Sequence, residues 1–135
     1  MQSADGRYVI VFNGEVYNYQ ELRKELELIG VQFKGRSDTE VVLYAYAFWG
    51  IESFVRFNGI FTFAIWDDWE KELILARDRF GVKPLYYSEL SDGIVFGSEI
   101  KAILASGVVS PEMTLRSLHE FAYFGVSLGN NSMFD

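Results

Sequence analysis

In "VIVFNGEVYNYQEL", residues 9–22, an apolar run leads directly into an amide, a glycine and an acid. Asn13-Gly14 admits two readings. Both residues tolerate positive φ, so the pair could simply turn the chain. Alternatively, the end of a strand presents a side-chain amide beside a backbone N–H with no Cβ in the way. Such a pair of donors can hold a developing oxyanion. Asp38, in "GRSDTEVVLYAY", also has a structural and a binding reading, because the helix dipole favours an acid in a first turn without any ligand. Asp67-Asp68, followed by Trp69, reads as a hairpin turn. Asp78 in "ARDRFGVKP" reads as a carboxylate paired with a flanking arginine rather than a catalytic one. No two carboxylates have a spacing that by itself implies an acid and a base.

Other chemistries are excluded by what the 135 residues contain. There is no cysteine, so these residues supply no disulfide, no thiolate metal ligand and no thiol nucleophile. His119 is the sole imidazole, which excludes a multi-histidine zinc site. It lies on the helical pattern Leu115, Leu118, Phe121, Ala122 and is expected to be a helix residue without a chemical role. Neither G-x-G-x-x-G nor G-x-x-x-x-G-K-[ST] occurs, so no phosphate loop is expected. A net charge of -7 with scattered basic residues argues against a nucleic-acid partner. No apolar run approaches the roughly 18 to 20 residues that a membrane span requires. A soluble, cytoplasmic chain without membrane or nucleic-acid partners is expected.

The elements that must position these residues follow from periodicity. Half of the residues are hydrophobic and 17% aromatic, enough for one domain with a substantial core. Residues 8–12 form a strand. A helix then runs through "NYQELRKELELIG" with Leu22, Leu26 and Ile29 inward, a capping box from Asn18 to Glu21, and Gly30 as its stop. A second helix in "RSDTEVVLYAYAFWG" has Ser37 and Glu40 at capping spacing, Val41, Tyr44, Ala45 and Phe48 as its buried face, and Gly50 at its end. Four short runs, "GIFTFAIWDD", "KELILARD", "PLYYSEL" and "GIVFGSE", predict an antiparallel meander. The first is apolar on both faces, so its sheet should be covered on both sides. Helices at about 99–106 and 114–124 are expected before a polar tail, "SLGNNSMFD".

Five segments, "FNGEVYNYQELR", "GRSDTEVVLYAY", "FNGIFTFAIWDD", "ARDRFGVKPLYY" and "FGSEIKAIL", occur in this order. Together they resemble the class II glutamine amidotransferases, among them the glutaminase domain of asparagine synthetase. The resemblance extends from Tyr8 to Phe124. It implies an α+β fold of the N-terminal-nucleophile hydrolase type, a four-layer αββα sandwich with antiparallel sheets. It also implies hydrolysis of the glutamine side-chain amide by an N-terminal cysteine whose own α-amino group is the base, with release of ammonia. By resemblance Asn13 and Gly14 are the oxyanion donors, and Glu15 and Asp38 hold the substrate's α-ammonium.

The family's segment carrying the cysteine and a carboxylate-gripping arginine has no counterpart before Tyr8, and the ATP-pyrophosphatase synthetase domain is absent. Residues 1–135 are therefore expected to be a partial glutamine amidotransferase type 2 domain, incomplete at the N-terminus and inactive alone. No cofactor is expected in this chain; ATP and Mg belong with the synthetase domain, which is the expected partner besides glutamine. Bare apolar area and strand edges lead to an expectation of homo-oligomers. The competing readings are a non-catalytic binding or assembly module of the same fold, and the glutaminase part of a β-lactam-forming or sugar-modifying synthetase.

Overall fold

The computed structural model describes residues 1–125, 129, 132 and 134. Most of the polar tail therefore lies outside the described residues. The chain divides into two compact units, Met1–Leu85 and Tyr86–Asp135.

The first unit contains β1 (Tyr8–Val16), α1 (Tyr19–Leu28), α2 (Asp38–Trp49), a 3-10 helix (Gly50–Arg56), β2 (Gly59–Asp67) and β3 (Glu72–Arg77). Its strands form one antiparallel sheet in the order β1-β2-β3. β1 continues past its predicted end at residue 12: Asn13 pairs with Thr62, Gly14 with Phe61 and Glu15 with Ile60. Asn13-Gly14 is thus strand and not turn, because β2 is long enough to give every residue of β1 a partner. Alternation sends Tyr8, Ile10 and Val16 into the core and leaves Val9, Val11, Asn13 and Glu15 exposed. The central strand β2 is buried on both faces from Phe61 to Ile65, as its double apolar pattern predicts.

The helices cover the core face of the sheet, with two departures from the expected pattern. Leu22 and Leu26 of α1 are buried, but Ile29 falls beyond the last turn and is half exposed. In α2, Val41 and Ala45 are buried as expected, and so are Val42 and Leu43, while Phe48 is exposed and Tyr44 only partly covered. The reason is that α2 is packed by β1, α1 and the 3-10 helix together, so its buried surface is wider than one stripe.

Capping also divides between the two helices. Ser37 Oγ accepts the Glu40 N–H at 3.3 Å, as expected. Asn18 makes no side-chain cap. Its amide instead donates to Arg56 O at 2.9 Å and accepts the Asn58 N–H at 3.0 Å. A turn with two unpaired backbone groups lies within reach, and a side chain that is both donor and acceptor satisfies both.

The predicted four-strand meander is two separate ladders. β2 pairs with β3, whereas β4 (Tyr86–Leu90) pairs with β5 (Gly93–Gly97) in a two-stranded sheet of the second unit. Between β3 and β4 the chain is occupied otherwise. The Asp78 carboxylate accepts the N–H groups of Phe80, Val82 and Lys83 at 2.9–3.1 Å, and Arg77 donates to the carbonyls of Gly81 and Lys83. Those groups are used within the loop, and Pro84 has no N–H to offer a ladder. In the second unit α3 (Ile100–Ala105) packs on the hairpin and α4 (Leu115–Phe124) carries an exposed His119, both helices falling where predicted.

At the start of β1, Arg7 and Asp67 close the sheet. The Arg7 guanidinium donates from Nε and Nη2 to the Asp67 carboxylate, at 2.9 and 2.6 Å, and its plane lies over the rings of Tyr8 and Trp69. Asp67 also accepts the N–H groups of Trp69 and Glu70, so the predicted hairpin turn is held by this buried carboxylate. The hydrogen bonds from Arg7 outweigh burial and lower its pKa from 3.8 to about 2. A carboxylate depressed on folding stabilises the fold above its unfolded pKa and loses that contribution as pH falls through the folded one. Stability should therefore fall between about pH 4 and pH 2 through this group. In Arg7→Ala that component of the acid slope should be absent, and stability at pH 7 should drop. Urea titrations at stepped pH measure both; an unchanged acid slope in Arg7→Ala would show that other carboxylates set it.

Candidate functional site

At the far end of β1 from Arg7, the strand brings together the residues singled out for chemistry. Asn13 and Glu15 are exposed on the same face, two positions apart, with Gly14 between them. Gly14 has φ +142°, and a Cβ there would stand 2.2 Å from Ile60 O and 2.6 Å from Phe61 Cα. Glycine is therefore required by the approach of β2. This corrects the expectation that its missing Cβ leaves room for a ligand, because the space is filled by the neighbouring strand. The relation is reciprocal: a Cβ on Gly59 would stand 2.2 Å from Glu15 O. Gly59 is not singled out by sequence reading. Its signal is the repeated Phe-Asn-Gly at 12–14 and 57–59, two tripeptides that pack against each other's strands.

The outer edge of β1 sets the direction of the backbone groups. Ile10 exchanges both of its hydrogen bonds with Met1, on the side away from β2. Strand alternation brings the backbone of Phe12, Gly14 and Val16 to that same edge. There the Val16 N–H donates to Asp38 Oδ2 at 3.0 Å, while Asp38 Oδ1 accepts the Thr39 N–H at 2.8 Å. Asp38 is the first residue of α2, as its helix-dipole reading requires. It is also tied one residue beyond Glu15. Asp38 is thus tied to β1 at the residue that follows Asn13, Gly14 and Glu15, where the strand ends and α2 begins.

Asp67 and Asp68 are not part of this group, since Asp67 pairs with Tyr8 at the opposite end of β1. Asp78 is not paired with an arginine as expected; its buried carboxylate is ringed by backbone amides. Burial would raise its pKa, but the N–H groups of Lys83, Val82 and Phe80 outweigh this and leave it below the ordinary carboxylate range. Its own N–H donates to Phe61 O at 2.7 Å, so it braces β2 at the residue paired with Gly14. Glu40, a buried acid whose sequence signal is only that of a cap, accepts the N–H groups of Lys34 and Gly35, both at 2.8 Å.

Chemically, the end of β1 offers two carboxylates suited to an ammonium and, from Asn13 and the Gly14 backbone, donors suited to a carbonyl oxygen. The family described as "Glutamine amidotransferase domain" matches this chain over residues 1–135. The chain belongs to that family. Among curated proteins, this amidotransferase domain is 46% identical over 120 residues to asparagine synthetase (glutamine-hydrolyzing) 3 of Bacillus subtilis (strain 168), a match covering 89% of this chain and 20% of that protein. It is 47% identical over 102 residues to a putative asparagine synthetase (glutamine-hydrolyzing) of Mycobacterium tuberculosis (strain ATCC 25618 / H37Rv), covering 75% of this chain and 16% of that one.

Among solved structures, it matches the B. subtilis glutamine phosphoribosylpyrophosphate amidotransferase complexed with ADP and GMP. The TM-score is 0.67 at 28% identity, covering 79% of this chain and 25% of that chain. The α+β fold of the N-terminal-nucleophile hydrolase type is that expected from the sequence. The chain spans a fifth or less of the length of these curated relatives. Among the described residues, no helix is long and apolar enough to cross a membrane.

Proposed function

We propose that these residues form the glutamine-binding part of the glutaminase region of an asparagine-synthetase-like amidotransferase. Its reaction is hydrolysis of glutamine to glutamate and ammonia, the ammonia serving an ATP-dependent amidation of aspartate. The observation that carries the reading is the juncture of β1 and α2, where Asp38 is bonded to the N–H that follows Glu15. A glutamine held there places its α-ammonium against Glu15 and Asp38, whose two negative charges offset its own. Its side-chain carbonyl would lie toward Asn13 and the Gly14 N–H, which stabilise the oxyanion formed when a nucleophile attacks.

That nucleophile is a thiol in this proposal, and these 135 residues contain none. It must be supplied from outside them, and the residues alone should release no ammonia from glutamine. They also hold no phosphate loop, so ATP and Mg would be bound by a synthetase domain, the proposed partner in a cytoplasmic enzyme. Self-association into homo-oligomers belongs to the same proposal. Partial domain status is likewise part of the proposal.

The test is Asp38→Asn in the full-length amidotransferase, with a non-hydrolysable glutamine analogue titrated calorimetrically. An amide keeps one acceptor oxygen but turns an NH2 toward one of two backbone donors, so about 1–2 kcal/mol of stability should go in any case. Affinity is what discriminates. Loss of a charge-assisted bond to the ammonium should weaken binding about ten- to hundredfold. An unchanged dissociation constant would leave Asp38 as a tie between β1 and α2 and nothing more.

A further inference from the structure

We infer that Glu40 is the positioning residue of this site: its buried carboxylate fixes the loop before α2 and so determines where Asp38 is presented. The inference rests on the reading of Asp38 as an ammonium ligand. Glu40 is only 6% exposed, and an acid so buried is costly unless its charge is engaged. Both of its oxygens are engaged, by the N–H groups of Lys34 and Gly35. A Cβ on Gly35 would stand 3.2 Å from Oε2, so the loop lies directly against the carboxylate. Glu40 also grips the other end of the same loop, since its backbone N–H donates to Ser37 Oγ.

Residues 34–37 are thereby held at both ends by one residue, and the next residue in the chain is Asp38. From the outer side, Arg23 donates to Gly35 O at 2.8 Å and lies over the Phe33 ring. The loop is therefore tied from both sides, and it leads directly into the first turn of α2, which is bonded to the end of β1 through Asp38. Releasing the loop would let Ser37 and Asp38 fray with the helix terminus. The Asp38 carboxylate would still exist but would spend less time at the Val16 N–H, where β1 ends. The expected signature is weaker substrate binding with little change in the chemical step, because Glu40 touches neither the oxyanion nor the scissile bond.

The experiment is a double-mutant cycle in the full-length amidotransferase with Glu40→Gln, Asp38→Asn and the two combined, read by glutamine kinetics and by hydrogen–deuterium exchange over residues 34–37. Glu40→Gln keeps the size of the side chain but sets an NH2 against one of the two amides. Exchange at Lys34 and Gly35 should accelerate about tenfold, and KM for glutamine should rise about tenfold with kcat within about twofold. In the Asp38→Asn background, Glu40→Gln should raise KM no further, since the two act in series. Fully multiplicative effects, or an unchanged KM in Glu40→Gln despite faster exchange, would overturn the inference while leaving Asp38 as a ligand. An unchanged KM in Asp38→Asn itself would overturn both. Should Glu40→Gln not fold, Glu40→Asp, which keeps the charge but shortens the reach, takes its place in the cycle, and the same changes in KM support or overturn the inference.

Discussion

Replacing Asn13 with alanine in the full-length amidotransferase is expected to lower kcat for glutamine hydrolysis about 100- to 1000-fold with KM changed much less. An oxyanion donor acts mainly where negative charge has developed, so its loss is felt in the transition state rather than in the bound substrate. Asn13 is exposed on the open face of β1, and its backbone, paired with Thr62, is unaffected by truncation of the side chain. Thermal unfolding alongside the kinetics separates any change in stability from the change in kcat. A rise in KM at constant kcat would move Asn13 into ground-state binding. If neither parameter moved, Asn13 would be a strand residue without a catalytic part.

Gly14→Ala should be the most destabilising single methyl in the first unit, at about 3–5 kcal/mol. Two costs combine there. The residue has φ +142°, where a Cβ is strained whatever the space around it, and that Cβ would stand 2.2 Å from a backbone carbonyl that cannot rotate away. Gly59→Ala isolates one of the two. It meets an equally close carbonyl, that of Glu15, but without the positive φ, so its loss should be the smaller. Urea unfolding of both variants measures the difference. An alanine tolerated at position 14 would mean that β1 and β2 can part at this point, and the reason for glycine would return to ligand access.

What the sequence determined by itself was local or cumulative. Ser37 caps α2 because its hydroxyl and the Glu40 N–H are three residues apart, and Gly50 ends that helix because the chain turns there with positive φ. Five motifs in fixed order were enough to place the chain in its family, and the absence of cysteine needed no structure. Tertiary structure alone decided which partner each polar group took. Asn13-Gly14 could have been a turn or the end of a strand until β2 paired with it. Asn18 looked like a cap, but its amide found backbone groups 38 and 40 positions away. Asp67 holds the turn that the sequence predicts, and folding adds an arginine 60 positions away to meet its charge. Asp78, flanked by arginines in sequence, is satisfied by amides of its own loop. Glu40 looked like half of a capping box and turned inward to hold the approach to Asp38. Helix signals repeat within four residues and can be read along the chain. A buried hydrogen bond or a strand register is chosen among all the groups that folding brings near, and the least costly choice depends on desolvation and close packing, which exist only once the strands have met.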